Sequence, residues 1–157
     1  MATQLRKELA YDASVEEVAA MLADSAFREK VLAALSVIRG SVAVEGSRIT
    51  IEQVWSSDSL PSFVRKFVGD EIVIVQEETW ATPSNADVTV TIPGKPSDMS
   101  GTAVLEPTST GGTVEKVEMT IKIGIPFVGG KIEKLIADML DKALAKEHRT
   151  GVAWLAG

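Results

Sequence analysis

A change of hydrophobic period near residue 124 constrains this chain more than any other feature of its sequence. Residues 37 to 123 hold six segments in which apolar and polar residues alternate, separated by turn signals, and this pattern predicts a β-meander. From Ile125 onward the period is 3.6, which predicts one long amphipathic helix. A curved antiparallel sheet must cover its concave face, and this helix is the long element available to do so. The predicted strands cover residues 37–45, 48–55, 71–81, 86–92, 99–106 and 113–123.

Before the meander the sequence predicts one strand and two short helices. The weak alternation of residues 3–11 predicts the strand. Ser14 and Glu17 have the spacing of a capping box, so the first helix is expected to run to about residue 23. A second short helix follows it directly. Its predicted apolar face holds Phe27, Val31, Ala34 and Leu35.

Two local motifs accompany this order of elements. Gly-Ile-Pro-Phe-Val-Gly-Gly-Lys-Ile-Glu-Lys at residues 124–134 leads from the last strand into the last helix, and Trp-Leu-Ala stands at residues 154–156. Order and motifs together resemble the helix-grip domain of the START-like (SRPBCC) superfamily, which includes birch-pollen-allergen relatives and polyketide cyclases. The motifs are also similar to an uncharacterised family of START-like domains frequent in actinobacteria.

The resemblance implies an α+β fold in which the curved sheet wraps around the C-terminal helix and leaves an apolar cavity between them. It extends over nearly the whole chain, and no linker, repeat or low-complexity tract interrupts the sequence. Residues 1–157 are therefore expected to form a single START-like helix-grip domain. Aromatic residues make up 5% of the chain, so few bulky rings are available to fill the space between sheet and helix.

The composition disfavours several kinds of function. With 22 acidic and 16 basic residues the net charge is −6, so the chain is expected to repel nucleic acid and anionic lipid surfaces. Cys is absent, so no disulfide and no thiolate chemistry are expected, and with one His the common zinc sites are hard to build. The carboxylates have no partners at metal-ligand spacing, so no metal is predicted, and no cofactor is predicted either. No signal peptide and no apolar stretch long enough to span a bilayer are found, which favours the cytoplasm and predicts no stable membrane insertion. The oligomeric state stays open.

Polar residues on otherwise apolar faces are the candidates for ligand contacts. Gln53, Gln76 and Glu78 share strand faces with apolar residues, and on the concave side they could orient a ligand. A register slip of one residue would instead turn them to solvent. The apolar wall of the last strand, which includes Met119, is mainly expected to be core. The predicted ligand-binding residues are Gln53, Trp55, Gln76, Glu78, Trp80, Met119, Met139, Ala143 and Glu147.

Glu147 lies within the apolar face predicted for the last helix. One interpretation is a carboxylate that points into the cavity, as a polar anchor or as a general base with a raised pKa. The alternative is that the last turns emerge from the sheet, or that an arginine pairs with the carboxylate, since ion pairs often explain such residues. His148 is predicted to be a surface residue rather than a catalytic base.

Residues 60–69 lie between two strands where a simple hairpin would suffice. Four apolar residues in this segment have helical spacing, and Arg65 and Lys66 are expected to face outward. In START-like proteins a segment here gates the mouth of the cavity, so the resemblance implies a lid, or a tip that touches a membrane. The alternative is a short helix that caps one end of the core. The predicted lid residues are Phe63, Val64, Phe67 and Val68.

Three functions are compatible with these patterns. The first is a module that binds a lipophilic small molecule, such as a lipid or a polyketide-like compound, for carriage or sensing. The second is an interaction domain with a filled core, which an interior without a pocket of roughly a few hundred Å3 would favour. The third is a cyclase- or dehydratase-like enzyme in which Glu147 or Glu78 moves a proton. Convergent polar groups are few, so an enzyme ranks last and binding ranks first.

Overall fold

The computed structural model describes residues 2–157, in which seven strands and four helices are present. In chain order they are β1 (Thr3–Tyr11), α1 (Val15–Leu22), α2 (Ser25–Ala34), β2 (Arg39–Glu45), β3 (Arg48–Ser56), α3 (Ser62–Val68), β4 (Glu71–Thr82), β5 (Asn85–Thr91), β6 (Ser97–Pro107), β7 (Thr113–Ile123) and α4 (Gly129–Leu155). The strands predicted from the alternation are all present, and their ends differ from the prediction by at most two residues.

All seven strands form one antiparallel sheet in the order β1-β7-β6-β5-β4-β3-β2. Strands β2 to β7 pair with their neighbours in sequence, and β1 pairs with β7, where Leu5 lies opposite Met119 and Leu9 opposite Glu115. Helix α4 packs along β1 and β7, and α2 packs against α4 and β2. The predicted α+β helix-grip fold, a curved sheet around the last helix, is therefore confirmed.

Side-chain caps fix the starts of the first two helices. Ser14 Oγ accepts a hydrogen bond from the backbone N–H of Glu17 at 3.1 Å, and the Glu17 carboxylate accepts from the N–H of Ser14 at 3.2 Å. This is the predicted capping box. Asp24 caps α2 by accepting from the backbone N–H of Ala26 at 2.9 Å. The start of α2 matters for the site because this helix carries a buried arginine, Arg28.

The last helix begins at Gly129, four residues later than the periodicity predicted. Phe127 has a φ of +70°, in the left-handed region, which interrupts any helix that started earlier and is uncommon for a large side chain. Gly129 then approaches β7 so closely that a Cβ on it would lie 2.5 Å from the carbonyl oxygen of Ile123. A glycine at this position lets the chain turn tightly from the strand into α4.

The apolar core has two main clusters. In the larger cluster, Ile132 and Ile136 of α4 pack against strands β4 to β7 and against β1. In the smaller cluster, α1 and α2 pack on β1 and β6 around Phe27, Leu9 and Leu105.

Over residues 2–157, none of the helices combines the length and the apolar character that crossing a membrane requires.

Candidate functional site

A cavity of about 80 Å3 lies between the sheet, α2 and α4. Most of its wall is apolar, with Leu5 from β1, Val90 from β5 and Leu144 from α4 among the lining residues. Helix α2 presents one face to it, through Arg28, Val31, Leu32 and Leu35 at the spacing i, i+3, i+4 and i+7. The polar side chains of the wall are Arg28, Gln53, Gln76, Glu78, Glu115 and Glu147.

The structure brings six of the nine predicted ligand-binding residues to this cavity. Trp55, Trp80 and Met139 are not among its lining residues, and all three pack half-buried against the larger core cluster. Both tryptophans nevertheless contact polar side chains of the wall. Each tryptophan lies two residues along its strand from such a side chain, and the two therefore share one face of the sheet. The six predicted residues that line the cavity are Gln53, Gln76, Glu78, Met119, Ala143 and Glu147.

Each tryptophan donates its indole N–H to a polar side chain of the wall. Trp55 Nε1 lies 3.0 Å from Gln53 Oε1, and Trp80 Nε1 lies 3.0 Å from Glu78 Oε1. These hydrogen bonds satisfy the indole donors and fix the orientation of the two acceptors. The tryptophans therefore position cavity groups rather than form the wall itself.

Arg28 forms the centre of a buried ionic cluster. Its Nη2 lies 2.7 Å from Glu78 Oε1 and its Nη1 lies 3.1 Å from Glu78 Oε2, while Nη1 also lies 3.1 Å from Glu147 Oε1. Its Nε donates to the carbonyl oxygen of Leu22 at 2.7 Å. The charged side chains are less than a tenth exposed. Paired in this way, the three charges can stay buried.

Both interpretations of Glu147 therefore describe features of the structure. The carboxylate lines the cavity, and it also pairs with an arginine. The sequence analysis named no arginine for this pairing. Arg28 could have been found, because it lies three and four residues before Val31 and Leu32 on the helical face that meets the cavity. A charged residue on such a face is a signal for a buried partner.

Two further polar groups of the site were not predicted. Glu115 is 4% exposed and lines the cavity, and its Oε1 has no hydrogen-bond partner. The hydroxyl of Tyr11 is also buried without a partner. The alternation of β7 could have placed Glu115, since it continues the buried face of Val117 and Met119 by one step of two residues.

Burial and charge together shift the pKa values of this cluster. Burial raises the pKa of Glu147 to about 7, an effect that Arg28 opposes and Glu78 reinforces. Burial and the charge of Glu147 raise the pKa of Glu115 well above its ordinary value. Burial lowers the pKa of Arg28, but the surrounding carboxylates more than offset this and leave it raised. Burial, with the charges of Glu147 and Glu115, raises the pKa of Tyr11. One cation thus faces more carboxylates than it can neutralise.

The predicted lid residues lie on α3, outside the cavity wall. Val64 is 2% exposed and belongs to the larger core cluster, while the other three predicted lid residues are half-buried against that cluster. Arg65 and Lys66 are exposed, as expected. The helix has seven residues and no side-chain cap at its N-terminus. The three half-buried lid residues are Phe63, Phe67 and Val68.

His148 lies beside the cluster without joining it. Its Nε2 is 2.7 Å from the carbonyl oxygen of Ala10, and its ring centroid is 5.2 Å from that of Tyr11. The side chain is half-buried rather than fully at the surface. In the described part of the chain, no group of three or more acidic or histidine residues is placed so that it could hold a metal ion.

The sheet order and the long helix that the sheet surrounds define a helix-grip fold. The family model described as "Protein of unknown function (DUF2505)" matches residues 7–155, and the chain belongs to this family. One relative is the uncharacterized protein Rv0481c of Mycobacterium tuberculosis. It is 29% identical over 160 residues, which cover 92% of each chain.

Two solved structures illustrate how widely this fold is shared. A START superfamily protein from Mycobacterium smegmatis has a TM-score of 0.64 and 14% identity, and the match covers 97% of this chain and 98% of that one. The di-domain ARO/CYC StfQ of the steffimycin biosynthetic pathway has a TM-score of 0.69 and 12% identity, over 98% of this chain and 50% of that one. The predicted START-like and cyclase-like relationship is confirmed at the level of fold.

Proposed function

We propose that this protein binds a lipophilic small molecule, of lipid or polyketide-like type, in the cavity between the sheet and α4, for carriage or sensing. The observation that carries the proposal is the wall of this cavity, which is largely apolar and holds a few buried polar side chains around Arg28. Binding sites for small molecules commonly have this composition. The fold that the chain shares with a START superfamily protein and with an ARO/CYC protein supports it. A cytoplasmic location remains part of the proposal.

The size of the cavity has a consequence for this proposal. At about 80 Å3 it is well below the roughly 300–1,000 Å3 of pockets that hold drug-sized ligands. A lipid-sized ligand therefore requires the interior to widen. Helix α3 has seven residues and no side-chain cap at its N-terminus, and we assign it the role of a lid on that ground.

The same small volume favours the alternative of an interaction domain with a filled core. The two functions predict different effects of an apolar probe molecule on the stability of the protein. A cavity that opens will take up primary alcohols, and the protein will become more stable as alcohol concentration rises, because a ligand that binds the folded state stabilises it. A filled core will show no saturable stabilisation by any member of the series.

The experiment is a thermal-unfolding titration with butan-1-ol to decan-1-ol, together with solvent extraction of the purified protein and mass spectrometry. We expect saturable stabilisation that grows with chain length. Ala143→Leu, which adds bulk to the cavity wall, should reduce the affinity at least tenfold. Ala145→Leu on the same helix lies outside the wall and is the matched control. Absence of saturable stabilisation and of extracted ligand would overturn the proposal in favour of a filled core.

One observation favours a second candidate function, proton transfer to or from the bound molecule. The carboxyl of Glu147 lines the cavity, and burial raises its pKa to about 7, which suits general acid–base chemistry at neutral pH. The test is to incubate the protein with the molecule extracted from it and to follow conversion by mass spectrometry. Conversion that Glu147→Gln abolishes while alcohol binding persists would establish the enzyme, and no conversion by the unaltered protein would exclude it.

A further inference from the structure

We propose that the ionic cluster of the cavity selects a ligand that carries a protonated amine at one end of an apolar chain. The cluster consists of Arg28, Glu78, Glu115 and Glu147. The inference rests on the proposed binding function and specifies the chemical class of its ligand. It follows from which hydrogen-bonding groups of the cluster are already used and which are not.

The donors of the cluster are nearly exhausted. Arg28 makes four hydrogen bonds, to Glu78, Glu147 and the carbonyl oxygen of Leu22, and a guanidinium has five N–H groups. An anionic ligand would therefore meet three carboxylates and almost no free donor. A protonated amine brings both the positive charge and the donors that the cluster lacks.

Glu78 is saturated as an acceptor. Its two oxygens accept two hydrogen bonds from Arg28, one from Gln76 at 2.6 Å and one from Trp80 at 3.0 Å. A carboxylate has about four lone-pair sites, so a ligand finds none left on Glu78. Glu115 and Glu147 are the carboxylates that can still receive a donor.

Glu115 is the group that most needs one. Its side chain lines the cavity, is 4% exposed, and has an Oε1 without any hydrogen-bond partner. Burial alone does not explain this, because the equally buried Glu133 accepts from the hydroxyl of Thr3 and from the backbone N–H of Ile123. The missing donor is therefore a property of the cavity wall, and a ligand ammonium can supply it.

The charges that face Glu115 predict a proton release on binding. Arg28 from α2, Glu78 from β4 and Glu147 from α4 act on it, and Tyr11 from β1 lies within the field of Glu115 and Glu147, with His148 beside that ring. Burial and the charge of Glu147 raise the pKa of Glu115, which favours the protonated form of its carboxyl. An ammonium beside it favours the ionised form, and the proton passes to the buffer. A neutral alcohol of the same length has no such effect.

The experiment is isothermal titration calorimetry at pH 7 with hexylamine, hexan-1-ol and hexanoate, in two buffers of different ionisation enthalpy. We expect hexylamine to bind at least tenfold more tightly than hexan-1-ol, with hexanoate weakest. Hexylamine binding should release protons, and hexan-1-ol binding none. The proton count is measured on the unaltered protein, so it does not depend on whether a variant folds.

Glu115→Gln provides the matching variant. It should bring the affinity for hexylamine down to that for hexan-1-ol and reduce the proton release. Glu118→Gln is the control, since Glu118 lies on the same strand and its side chain is 60% exposed. This control should behave as the unaltered protein does.

Each contrary result has a distinct meaning. Equal affinity for hexylamine and hexan-1-ol would overturn the inference and leave the binding function standing. A preference for hexylamine that survives in Glu115→Gln would show that the amine binds elsewhere on the acidic protein, which also overturns it. Binding of none of the three probes would overturn the proposed function itself.

Discussion

Arg28 and Glu78 lie 50 residues apart in the sequence, yet they form two parallel hydrogen bonds of 3.1 and 2.7 Å in the wall of the cavity. Glu147, 119 residues from Arg28, accepts a third at 3.1 Å. A single guanidinium thus ties α2, β4 and α4 together around the interior. The stability of the fold and the chemistry of the cavity depend on the same side chain.

Removal of Arg28 should therefore destabilise the protein strongly. Arg28→Met keeps much of the side-chain volume but leaves Glu78 and Glu147 buried without their cation. Breaking a buried ion pair by removing one partner typically costs about 3–5 kcal/mol. We expect a loss of this size in the free energy of unfolding, measured by urea denaturation at pH 7.

Arg39→Met is the matched control for this prediction. Arg39 also makes two hydrogen bonds to one carboxylate, that of Glu71, but its side chain is 61% exposed. Exposed ion pairs contribute little to stability, so this variant should lose far less than Arg28→Met does. Equal losses in the two variants would contradict the view that burial makes the Arg28 cluster important.

The stability should fall as the pH rises through the window set by Glu147. Its pKa is raised from 4.5 to about 7 in the folded protein. Below pH 4.5 the Glu147 carboxyl is protonated in both the folded and the unfolded state, and its contribution to stability is fully present. Between pH 4.5 and 7 the folded state binds more protons than the unfolded state. The free energy of unfolding therefore decreases with pH, by on the order of 3 kcal/mol from this group.

The measurement is the difference in free energy of unfolding between the unaltered protein and Glu147→Gln, from pH 4 to pH 8. The variant has no carboxyl to ionise at this position, so the unaltered protein should lose stability relative to it as the pH rises. The same comparison with Glu115→Gln should show the same trend. The unaltered protein should lose stability relative to this variant as the pH rises, since the pKa of Glu115 is also raised. A difference that is constant with pH would show that the pKa of Glu147 is not raised in the folded protein.

The fold was predictable because hydrophobic period and turn chemistry are local properties of the sequence. The alternation from residue 37 to residue 123 and the capping box at Ser14 gave the strands and the first helix nearly to the residue. The start of α4 was placed too early, because the apolar residues before Gly129 continue a helical period while the backbone at Phe127 leaves the helical region. Periodicity reports which face is apolar and does not report φ.

The site was less accessible to sequence analysis, because its central interactions join residues far apart in the chain. Glu78 and Glu147 could each be placed on an apolar face, but their shared partner could not be identified from spacing. Arg28 and Glu115 interrupt apolar faces in the same manner. Charged residues on apolar faces, basic as well as acidic, are therefore the signal of this cluster in the sequence, but their spacing does not show how they pair.

Gly151 should tolerate alanine poorly, although it lies inside α4 where alanine is usually favoured. A Cβ at this position would lie 2.7 Å from Tyr11 Cε1 and 3.1 Å from Met21 Cε, and both neighbours are buried. Overpacking of this kind costs about 1–3 kcal/mol. Gly130→Ala, on the same helix with nothing within 4 Å of the new Cβ, should stabilise by about 0.5–1 kcal/mol. Thermal unfolding of the two variants should therefore shift in opposite directions.

Tyr11 of β1 lies directly opposite Thr113 of β7. Removal of the two hydroxyls should change the free energy of unfolding in opposite directions. The buried hydroxyl of Tyr11 has no partner, so Tyr11→Phe should raise the free energy of unfolding by about 1 kcal/mol by relieving its desolvation. Thr113 Oγ1 donates to the carbonyl oxygen of Ala13 at 2.7 Å, so Thr113→Val should cost about 1–2 kcal/mol. Urea denaturation of both variants tests the pair. A destabilised Tyr11→Phe would show that its hydroxyl is hydrogen-bonded in solution.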